Sequence, residues 1–267
     1  MSIDLRDKVV VIIGGTTGLG LSAAKACVAA GAHVVVVGRS PDSAAAAAEA
    51  LGDAGRAVVG DATDPATADR AIDTALDQFH GFHGLYHVAG GSGRRRGDGP
   101  LHEVSDEGID FTLQLNLTSL IYSNRAAVRR WLDLGHPGVV VNMGSVLGFS
   151  PSAEHFATHV YAAAKSAIIG FTKSCAAKYA ANDIRFNVLA PALVETPMAR
   201  RAATDDAIMR FIHTKQPLDG GRIGRPDDLD GAIVYLLSDA ARFVTAQVLA
   251  VDGGWCVSEG QIAPTDE

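Results

Sequence analysis

A glycine-rich loop joins the first apolar run of this chain to its first helical pattern. Residues 9–13 predict a buried strand, residues 19–30 predict a helix closed by Gly31, and the letters GGTTGLG occupy positions 14–20. Glycines let a backbone turn tightly and approach a phosphate group, whose charge is met by the N–H groups and the positive dipole end of the helix. The loop therefore predicts phosphate binding, although a turn that only connects strand and helix gives the same pattern. No lysine follows it, which disfavours a nucleotide triphosphatase.

Short β-branched runs alternate with longer alanine-rich stretches along the rest of the chain, a pattern typical of βαβ units. We therefore expect an α/β fold: one doubly wound Rossmann domain over residues 1–267, with a central, mostly parallel sheet of about seven strands flanked by helices. The predicted strands are 9–13, 33–37, 57–59, 85–88, 139–142, 184–189 and 248–251. Further helices are predicted from Pro65 onward and over 106–134, 161–180 and 226–238, with 196–221 as an irregular, partly helical insertion that forms a substrate loop.

Composition excludes several classes of protein. A net charge of -7 argues against nucleic-acid partners, because these require a basic face. The longest apolar runs are too short to span a membrane, and the charged N-terminal residues do not resemble a signal peptide. Three widely spaced cysteines fit a reducing compartment, so we expect a cytoplasmic protein. The nine histidines show no metal-ligand spacing, and we expect no metal.

A basic residue follows the second predicted strand, in the sequence Val37-Gly38-Arg39-Ser40. In dinucleotide-binding folds an acidic residue here binds the ribose hydroxyls, whereas a basic residue accommodates a 2′-phosphate. A charge-assisted contact is worth roughly 1.5 to 3 kcal/mol, enough to set a preference for NADP over NAD. A solvated arginine in a surface loop is the alternative interpretation.

Four polar residues indicate a catalytic site. Tyr161 and Lys165 share one helix face, and about 0.1 such pairs are expected by chance in this composition. Ser145 follows the predicted strand 139–142, at the end where doubly wound sheets bind ligands. Asn116 lies in an apolar helical stretch. A surface Tyr/Lys pair and a hydrogen-bonded core asparagine are the alternative interpretations.

In this order, with the glycine loop, Asp61, Ala89-Gly90, Asn187 and Asp252-Gly253-Gly254, these residues resemble a classical short-chain dehydrogenase/reductase from about Leu5 to Trp255. The resemblance implies hydride transfer between NAD(P) and an alcohol or ketone, and a homotetramer or homodimer. It implies that Lys165 binds the nicotinamide ribose, Asn116 positions a proton-relay water, Asp61 contacts adenine and Thr196 contacts the carboxamide. The full set of expected cofactor contacts is Gly14, Thr16, Thr17, Gly18, Leu19, Arg39, Asp61, Ala62, Ala89, Gly90, Tyr161, Lys165, Pro191, Val194 and Thr196.

The catalytic chemistry follows from the residue types. A tyrosine pKa near 10 is too high for a good base at neutral pH. A lysine ammonium about 4.5 Å away stabilises a phenolate by about 3.7 kcal/mol at an effective dielectric of about 20, which lowers the pKa by two to three units. We therefore expect Tyr161 to be the general acid/base and Ser145 to hold the substrate oxygen. A non-catalytic NAD(P)-binding sensor is the alternative function.

Some positions depart from the family pattern. His87-Val88 replaces a pair of asparagines that support the sheet and the cofactor loop in the family, so this departure affects stability more than chemistry. Ala192 replaces a glycine, which is tolerated if the φ of Ala192 is negative. His155 and His159 could touch substrate, but ordinary loop histidines are the plainer interpretation. Likewise, the run Arg94-Arg95-Arg96 fits an anionic substrate group or, more simply, a solvated cluster.

Overall fold

The central sheet accounts for the apolar runs. The computed structural model describes residues 3–196 and 199–260. Within those residues seven strands pair in parallel in the order β3-β2-β1-β4-β5-β6-β7. The doubly wound α/β fold predicted from the sequence is confirmed. The strands are β1 Val9–Ile13, β2 His33–Gly38, β3 Gly55–Val59, β4 Gly84–His87, β5 Gly138–Met143, β6 Ile184–Pro191 and β7 Val248–Val251.

Helices cover both faces of this sheet. Alternate residues of β1 point into two separate apolar layers, which is why the strand is apolar throughout. Helices α1, α2 and α9 pack on one face, and α3, α5 and α6 on the other. The bounds are α1 Gly18–Ala29, α2 Pro41–Leu51, α3 Thr67–Phe79, α4 Asp106–Leu113, α5 Ser119–Leu134, α6 His159–Tyr179, α7 Arg200–Ala203, α8 Asp206–Lys215 and α9 Asp230–Leu237.

Three helix boundaries differ from the prediction. Helix α3 begins at Thr67, because Pro65 lies in a turn where the Asp64 carboxylate accepts a hydrogen bond from the Ala66 N–H (3.0 Å). The predicted helix 106–134 is interrupted by one π-helical turn, Gln114–Thr118. The predicted helix 226–238 consists of a 3₁₀ turn, Pro226–Leu229, followed by α9.

The predicted end of α1 is confirmed, since Gly31 has a φ of +97°. The insertion 196–221 contains α7, α8 and a 3₁₀ turn, as expected for a partly helical segment, and its residues 197 and 198 lie outside the described residues. Among the described helices, none combines the length and apolar composition needed to cross a bilayer.

The strand order fixes where a ligand can bind. Helices after β1 and after β4 pass to opposite faces of the sheet, so a crevice opens beyond the carboxyl ends of these two neighbouring strands. The glycine loop follows β1, the loop of residues 88–105 follows β4, and Ser145 follows β5. The chain therefore gathers its unusual residues at one edge of the sheet.

Candidate active site

The glycine loop is packed so closely that side chains are excluded. The N–H groups of Gly14 and Gly15 both donate to the Val37 carbonyl at 2.9 Å, which curls the loop over the end of β2. Gly14 has a φ of +88°, and a Cβ there would lie 2.6 Å from the Ala89 nitrogen. A Cβ on Gly20 would overlap the Gly14 carbonyl oxygen. Glycine is therefore required for the fold of this loop as well as for the approach of a ligand.

The first turn of α1 presents free donors to the crevice. Thr17 occupies the N-cap with extended backbone, but its side chain makes no capping hydrogen bond, and the first turn holds no acidic residue. Across the described residues, the N–H groups of Gly18 and Leu19 have no hydrogen-bond partner. Unpaired N–H groups at the positive end of a helix dipole fit the pyrophosphate of a dinucleotide.

A cleft of about 540 Å³ lies beyond the ends of β2 and β3. Arg39 and Asp61 line it, together with residues of α4 and the π-helical turn. Asp61 Oδ1 accepts hydrogen bonds from the N–H (2.9 Å) and hydroxyl (2.8 Å) of Thr63, which fixes the turn after β3. The Arg39 guanidinium makes no hydrogen bond or ion pair with any residue in the described ranges. Its charge is therefore available to a ligand in the cleft.

Two further predicted cofactor contacts lie beside this path. Thr16 is buried, and its hydroxyl accepts a hydrogen bond from Ser43 at 3.2 Å, just beneath Gly38. Ala62 packs against the apolar layer formed by α3 and α5. Thr16 therefore lies beneath the end of β2, and Ala62 lies beside the apolar layer after β3.

Ser145 and Tyr161 meet at the carboxyl end of β5. The Gly144 N–H donates to the Leu189 carbonyl at 2.8 Å, so the chain after β5 stays paired with β6 for one more residue before Ser145. The Ser145 hydroxyl accepts a hydrogen bond from the Leu147 N–H at 3.2 Å. Ser145 also lies close enough to the Tyr161 side chain to lower the pKa of the phenol. The structure thus brings together two of the predicted catalytic groups.

The electrostatics of the Tyr161/Lys165 pair differ from the prediction. Burial raises the pKa of Tyr161 to about 12, outweighing the opposing effect of Ser145, so the expected lowering of this pKa is wrong. Burial also lowers the pKa of Lys165 to about 7. The Lys165 Nζ lies 5.5 Å from the Tyr161 ring centroid and donates to the Met143 carbonyl at 2.8 Å. Burial is the largest cause of both shifts, and spacing along a helix does not reveal how deeply its side chains are buried.

Asn116 lies in the π-helical turn and is fully buried. Its Nδ2 donates to the carbonyls of Gly91 and Thr112, each at 2.9 Å, and its Oδ1 accepts from the Gly91 N–H at 3.0 Å. Backbone groups therefore satisfy the side-chain amide, as the alternative interpretation of Asn116 as a hydrogen-bonded core asparagine expects. It nevertheless belongs to the site, because a Cβ on Gly90 would lie 2.8 Å from Asn116 Oδ1 and 3.6 Å from Lys165 Nζ.

His87, at the end of β4, supports the same loop. Its Nδ1 is 2.8 Å from the Ser123 hydroxyl and its Nε2 is 3.1 Å from the Ala89 carbonyl oxygen. Burial, with a smaller effect from the charge of Lys165, lowers the pKa of His87 to about 3. The imidazole is therefore neutral at physiological pH and holds Ala89 in place, as a residue supporting the cofactor loop should.

Asp98 belongs to the site but was not identified from the sequence. It is 2% exposed, and its two carboxylate oxygens accept hydrogen bonds from the N–H groups of Val160 (3.1 Å) and Tyr161 (2.9 Å). The contact joins residues 62 and 63 positions apart. Only the flanking glycines, which indicate a tight turn, marked this residue in the sequence.

The segment after β6 forms the remaining wall. Pro191 ends that strand. Ala192 is not among the residues with a positive φ, so alanine can take the place of the family's glycine here without backbone strain. Val194 is buried and bridges Gly224. The Thr196 hydroxyl accepts a hydrogen bond from the Ala199 N–H at 3.3 Å.

The arginine run is divided between two environments. Arg96 lies 3.4 Å from Glu107 and stacks over Phe111 at 5.3 Å, so it serves the surface of α4. Arg94 faces the insertion, where burial and the charge of Arg201 lower its pKa. This division supports the surface interpretation for Arg96.

The two histidines before α6 also differ. His159 begins α6 and is exposed. His155 packs against Phe211, with ring centroids 5.0 Å apart, and its Nε2 is buried without a hydrogen-bond partner. A direct role of either residue toward substrate stays a prediction.

Comparison with known proteins agrees with this geometry. A family model described as "Enoyl-(Acyl carrier protein) reductase" matches residues 14–256. The chain is 32% identical over 252 residues to cis-4-hydroxycyclohexanecarboxylate dehydrogenase of Sinomonas cyclohexanicum, covering 93% of this chain and 96% of that protein. A short-chain dehydrogenase/reductase from Mycobacterium ulcerans superposes with a TM-score of 0.86 at 31% identity, covering 96% of this chain and 92% of the other.

A 3-ketoacyl-(acyl-carrier-protein) reductase from Brucella melitensis, solved in complex with NADH, superposes with a TM-score of 0.83 at 28% identity, covering 95% of this chain and all of the other. These similarities confirm the resemblance expected from the sequence and favour an enzyme over a non-catalytic sensor. The chain therefore belongs to the short-chain dehydrogenase/reductase family and is an NAD(P)-dependent oxidoreductase that acts on CH–OH and C=O groups.

Proposed function

We propose that this enzyme interconverts a secondary alcohol and a ketone, with Tyr161 as the general acid/base and NADP as the preferred cofactor. The observation that carries the proposal is the proximity of Ser145 to the half-buried Tyr161, where Ser145 lowers the pKa of the phenol against the opposing effect of burial. Both groups lie at the carboxyl edge of the sheet, where the glycine loop also ends. A substrate oxygen placed between the two hydroxyls would receive two hydrogen bonds.

The protonation states favour Tyr161 as an acid in the reductive direction. When bound, the nicotinamide supplies or accepts the hydride. With its pKa raised to about 12, the Tyr161 phenol carries its proton at neutral pH and can donate it to the oxygen of a ketone. Ser145 holds that oxygen while the proton moves. In the oxidative direction the phenol must first lose its proton. A positive charge close to the ring stabilises the phenolate and so favours oxidation.

Lys165 and Asn116 hold the geometry around that phenol. The Lys165 Nζ donates to the Met143 carbonyl, at the end of β5 just before Ser145, and we assign this lysine to the nicotinamide ribose. Asn116 holds Gly91 through both the N–H and the carbonyl of that residue. We assign further predicted contacts to parts of the cofactor: Gly14, Gly18 and Leu19 to the pyrophosphate, Asp61 and Ala62 to adenine, and Ala89, Gly90, Pro191, Val194 and Thr196 to the nicotinamide half.

Tyr161→Phe tests the chemistry. The variant keeps the ring that packs in the site but has no proton to transfer, so we expect kcat to fall by at least about a thousandfold, within the range reported for acid–base catalysis. The affinity for NADPH, measured by fluorescence titration, should remain within twofold. The substrate panel is a set of cyclic and linear ketones that includes 4-oxocyclohexanecarboxylate, the ketone related to the alcohol in the name of one relative. Turnover by Tyr161→Phe at the rate of the unmodified enzyme would disprove this mechanism.

Arg39→Ala tests the cofactor preference. Loss of one charge-assisted contact to a 2′-phosphate should weaken NADPH binding by about tenfold to a hundredfold and leave NADH binding within twofold. Exposed Arg95→Ala, in the loop of residues 88–105, serves as the matched loss of one positive charge. An unchanged ratio of NADPH to NADH affinity in Arg39→Ala would assign the preference to other residues.

We also propose a cytoplasmic location, a single catalytic and cofactor-binding domain over residues 1–267, and a homotetramer or homodimer. The three thiols, Cys27, Cys175 and Cys256, are unpaired, which fits a reducing compartment. Sedimentation equilibrium measures the oligomeric state directly, and a monomer at micromolar concentration would exclude that part of the proposal.

A further inference from the structure

The first turn of α6 takes its hydrogen-bond acceptors from a distant loop. A helix leaves its first N–H groups without partners, and Thr158, at the N-cap, provides no side-chain capping hydrogen bond. The His159 N–H donates to the Gly99 carbonyl at 3.4 Å. The next two N–H groups donate to separate oxygens of the Asp98 carboxylate. One of those two groups is the backbone N–H of Tyr161 itself.

Asp98 is held firmly for this role. Its own N–H donates to the Gly93 carbonyl at 3.1 Å. Gly93 is packed so closely on α4 that a Cβ would overlap the Thr112 hydroxyl, and Gly97, just before Asp98, has a φ of +97°. The turn therefore admits few alternative conformations, and the carboxylate is 2% exposed within it.

The charge of Asp98 is directed at the helix. Among the residues described, no lysine or arginine forms an ion pair with this carboxylate. Its partners are instead two N–H groups at the positive end of the dipole of a helix that continues for 21 residues. A carboxylate with two N–H donors defines both the position and the rotation of the first turn, because its two oxygens lie in one plane.

We propose that Asp98 is a positioning residue for catalysis: it holds the first turn of α6 so that the Tyr161 hydroxyl stays within reach of Ser145 and the substrate oxygen. The inference rests on the proposed function of Tyr161. Proton transfer requires donor and acceptor at hydrogen-bond distance, and a displacement of about 1 Å costs about a hundredfold in rate. Asp98 touches neither the substrate nor the reacting atoms, so its effect passes through the backbone of Tyr161.

Two variants separate this role from mere stabilisation. Asp98→Ala removes both acceptors, and we expect kcat to fall by about tenfold to a hundredfold, with KM for ketone and Kd for NADPH within threefold. Asp98→Asn keeps the size of the side chain and one acceptor oxygen, but turns an NH₂ group toward the second N–H. Its kcat should therefore lie between those of Asp98→Ala and the unmodified enzyme. The solvent deuterium isotope effect on kcat should rise in Asp98→Ala, because a misplaced phenol makes proton transfer more rate-limiting.

Ser238→Ala is the matched control for loss of a buried cap. Ser238 is fully buried, and its hydroxyl accepts from the Ala240 N–H (3.2 Å) and donates to the Tyr235 carbonyl (2.8 Å). It lies near Arg185 at the start of β6, at the edge of the sheet opposite the site. This variant should lower Tm while kcat and the isotope effect stay unchanged.

The outcomes are distinct. A folded Asp98→Ala with kcat within twofold of the unmodified enzyme would overturn the inference, as would an equal loss of kcat in Ser238→Ala. If Asp98→Ala fails to fold, Asp98→Asn decides: reduced kcat with a raised isotope effect supports the inference, and unchanged values reject it. Turnover by Tyr161→Phe would instead overturn the proposed function, and so identifies that failure separately.

Discussion

Replacement of Lys165 by methionine should change how stability depends on pH. Burial lowers the pKa of Lys165 from 10.5 in an exposed lysine to about 7 in the folded chain. Between these two values the unfolded chain binds more protons than the folded chain, so this group makes the folded state more stable as pH rises. Integrated from pH 7 to pH 10, the contribution amounts to about 3 to 4 kcal/mol, and Lys165→Met should lack it.

The neighbours of Lys165 leave this pH window clear. Tyr161, with its pKa raised to about 12, stays protonated throughout, and His87, with its pKa lowered to about 3, stays neutral. The variant also leaves the Met143 carbonyl without its lysine donor, which costs about 1 to 3 kcal/mol at every pH. That constant loss shifts the stability curve without changing its slope. The predicted quantity is therefore the change with pH in the difference between the two proteins.

Urea unfolding at pH 7, 8.5 and 10 measures that difference. Trp131 and Trp255 are both buried and report unfolding through their fluorescence. Protein concentration is held fixed, because association alters apparent stability. Lys173→Met removes an exposed lysine from the same helix and should give a curve parallel to that of the unmodified protein. Parallel curves for Lys165→Met as well would show that the buried lysine keeps its charge, and would refute the reasoning.

Two further changes test the supports of the site. The unmodified protein should lose stability as pH falls from 6.5 toward 3, because only the unfolded chain then gains a proton on His87. His87→Asn should not show this loss. The difference between the two proteins should change by about 3 kcal/mol between pH 7.5 and pH 4 in urea unfolding, and a constant difference would contradict the assignment of a neutral buried imidazole. Gly14→Ala should weaken NADPH binding at least tenfold in fluorescence titration, because its Cβ would meet the Ala89 backbone at positive φ, whereas Gly231→Ala, on an open face of α9, should bind normally. Equal binding by both variants would count against the tight packing of the loop.

The sheet could be predicted because its strands are buried on both faces. A run such as residues 9–13 is apolar throughout, and parallel strands leave few other ways to bury it. The spacing of Tyr161 and Lys165 also placed both on one face of α6. Predicted bounds failed where local chemistry decided them, as at Pro65, where the Asp64 carboxylate stabilises a turn before α3 begins.

Other features of the site depend on tertiary contacts that one sequence does not reveal. Asp98 meets Tyr161 only because the loop of residues 88–105 folds back over α6. The pKa values of Tyr161 and Lys165 depend on how deeply both are buried, and helical spacing carries no information about burial. The π-helical turn that contains Asn116 likewise cannot be recognised from its amino-acid composition, since leucines flank the asparagine as they would in any apolar helix.

The loop of residues 88–105 touches three parts of the site, and this has a consequence for engineering. It packs against Gly14, is bonded to Asn116 through Gly91, and caps α6 through Asp98. Substitutions at these positions share a structural element, so their energetic effects should be non-additive in double-mutant cycles. Arg39 stands in a separate cleft formed with α4 and the turn after β3. If the proposed role of Arg39 holds, cofactor choice should be modular in this scaffold: a substitution at Arg39 should change it while the proton-transfer residues are left as they are.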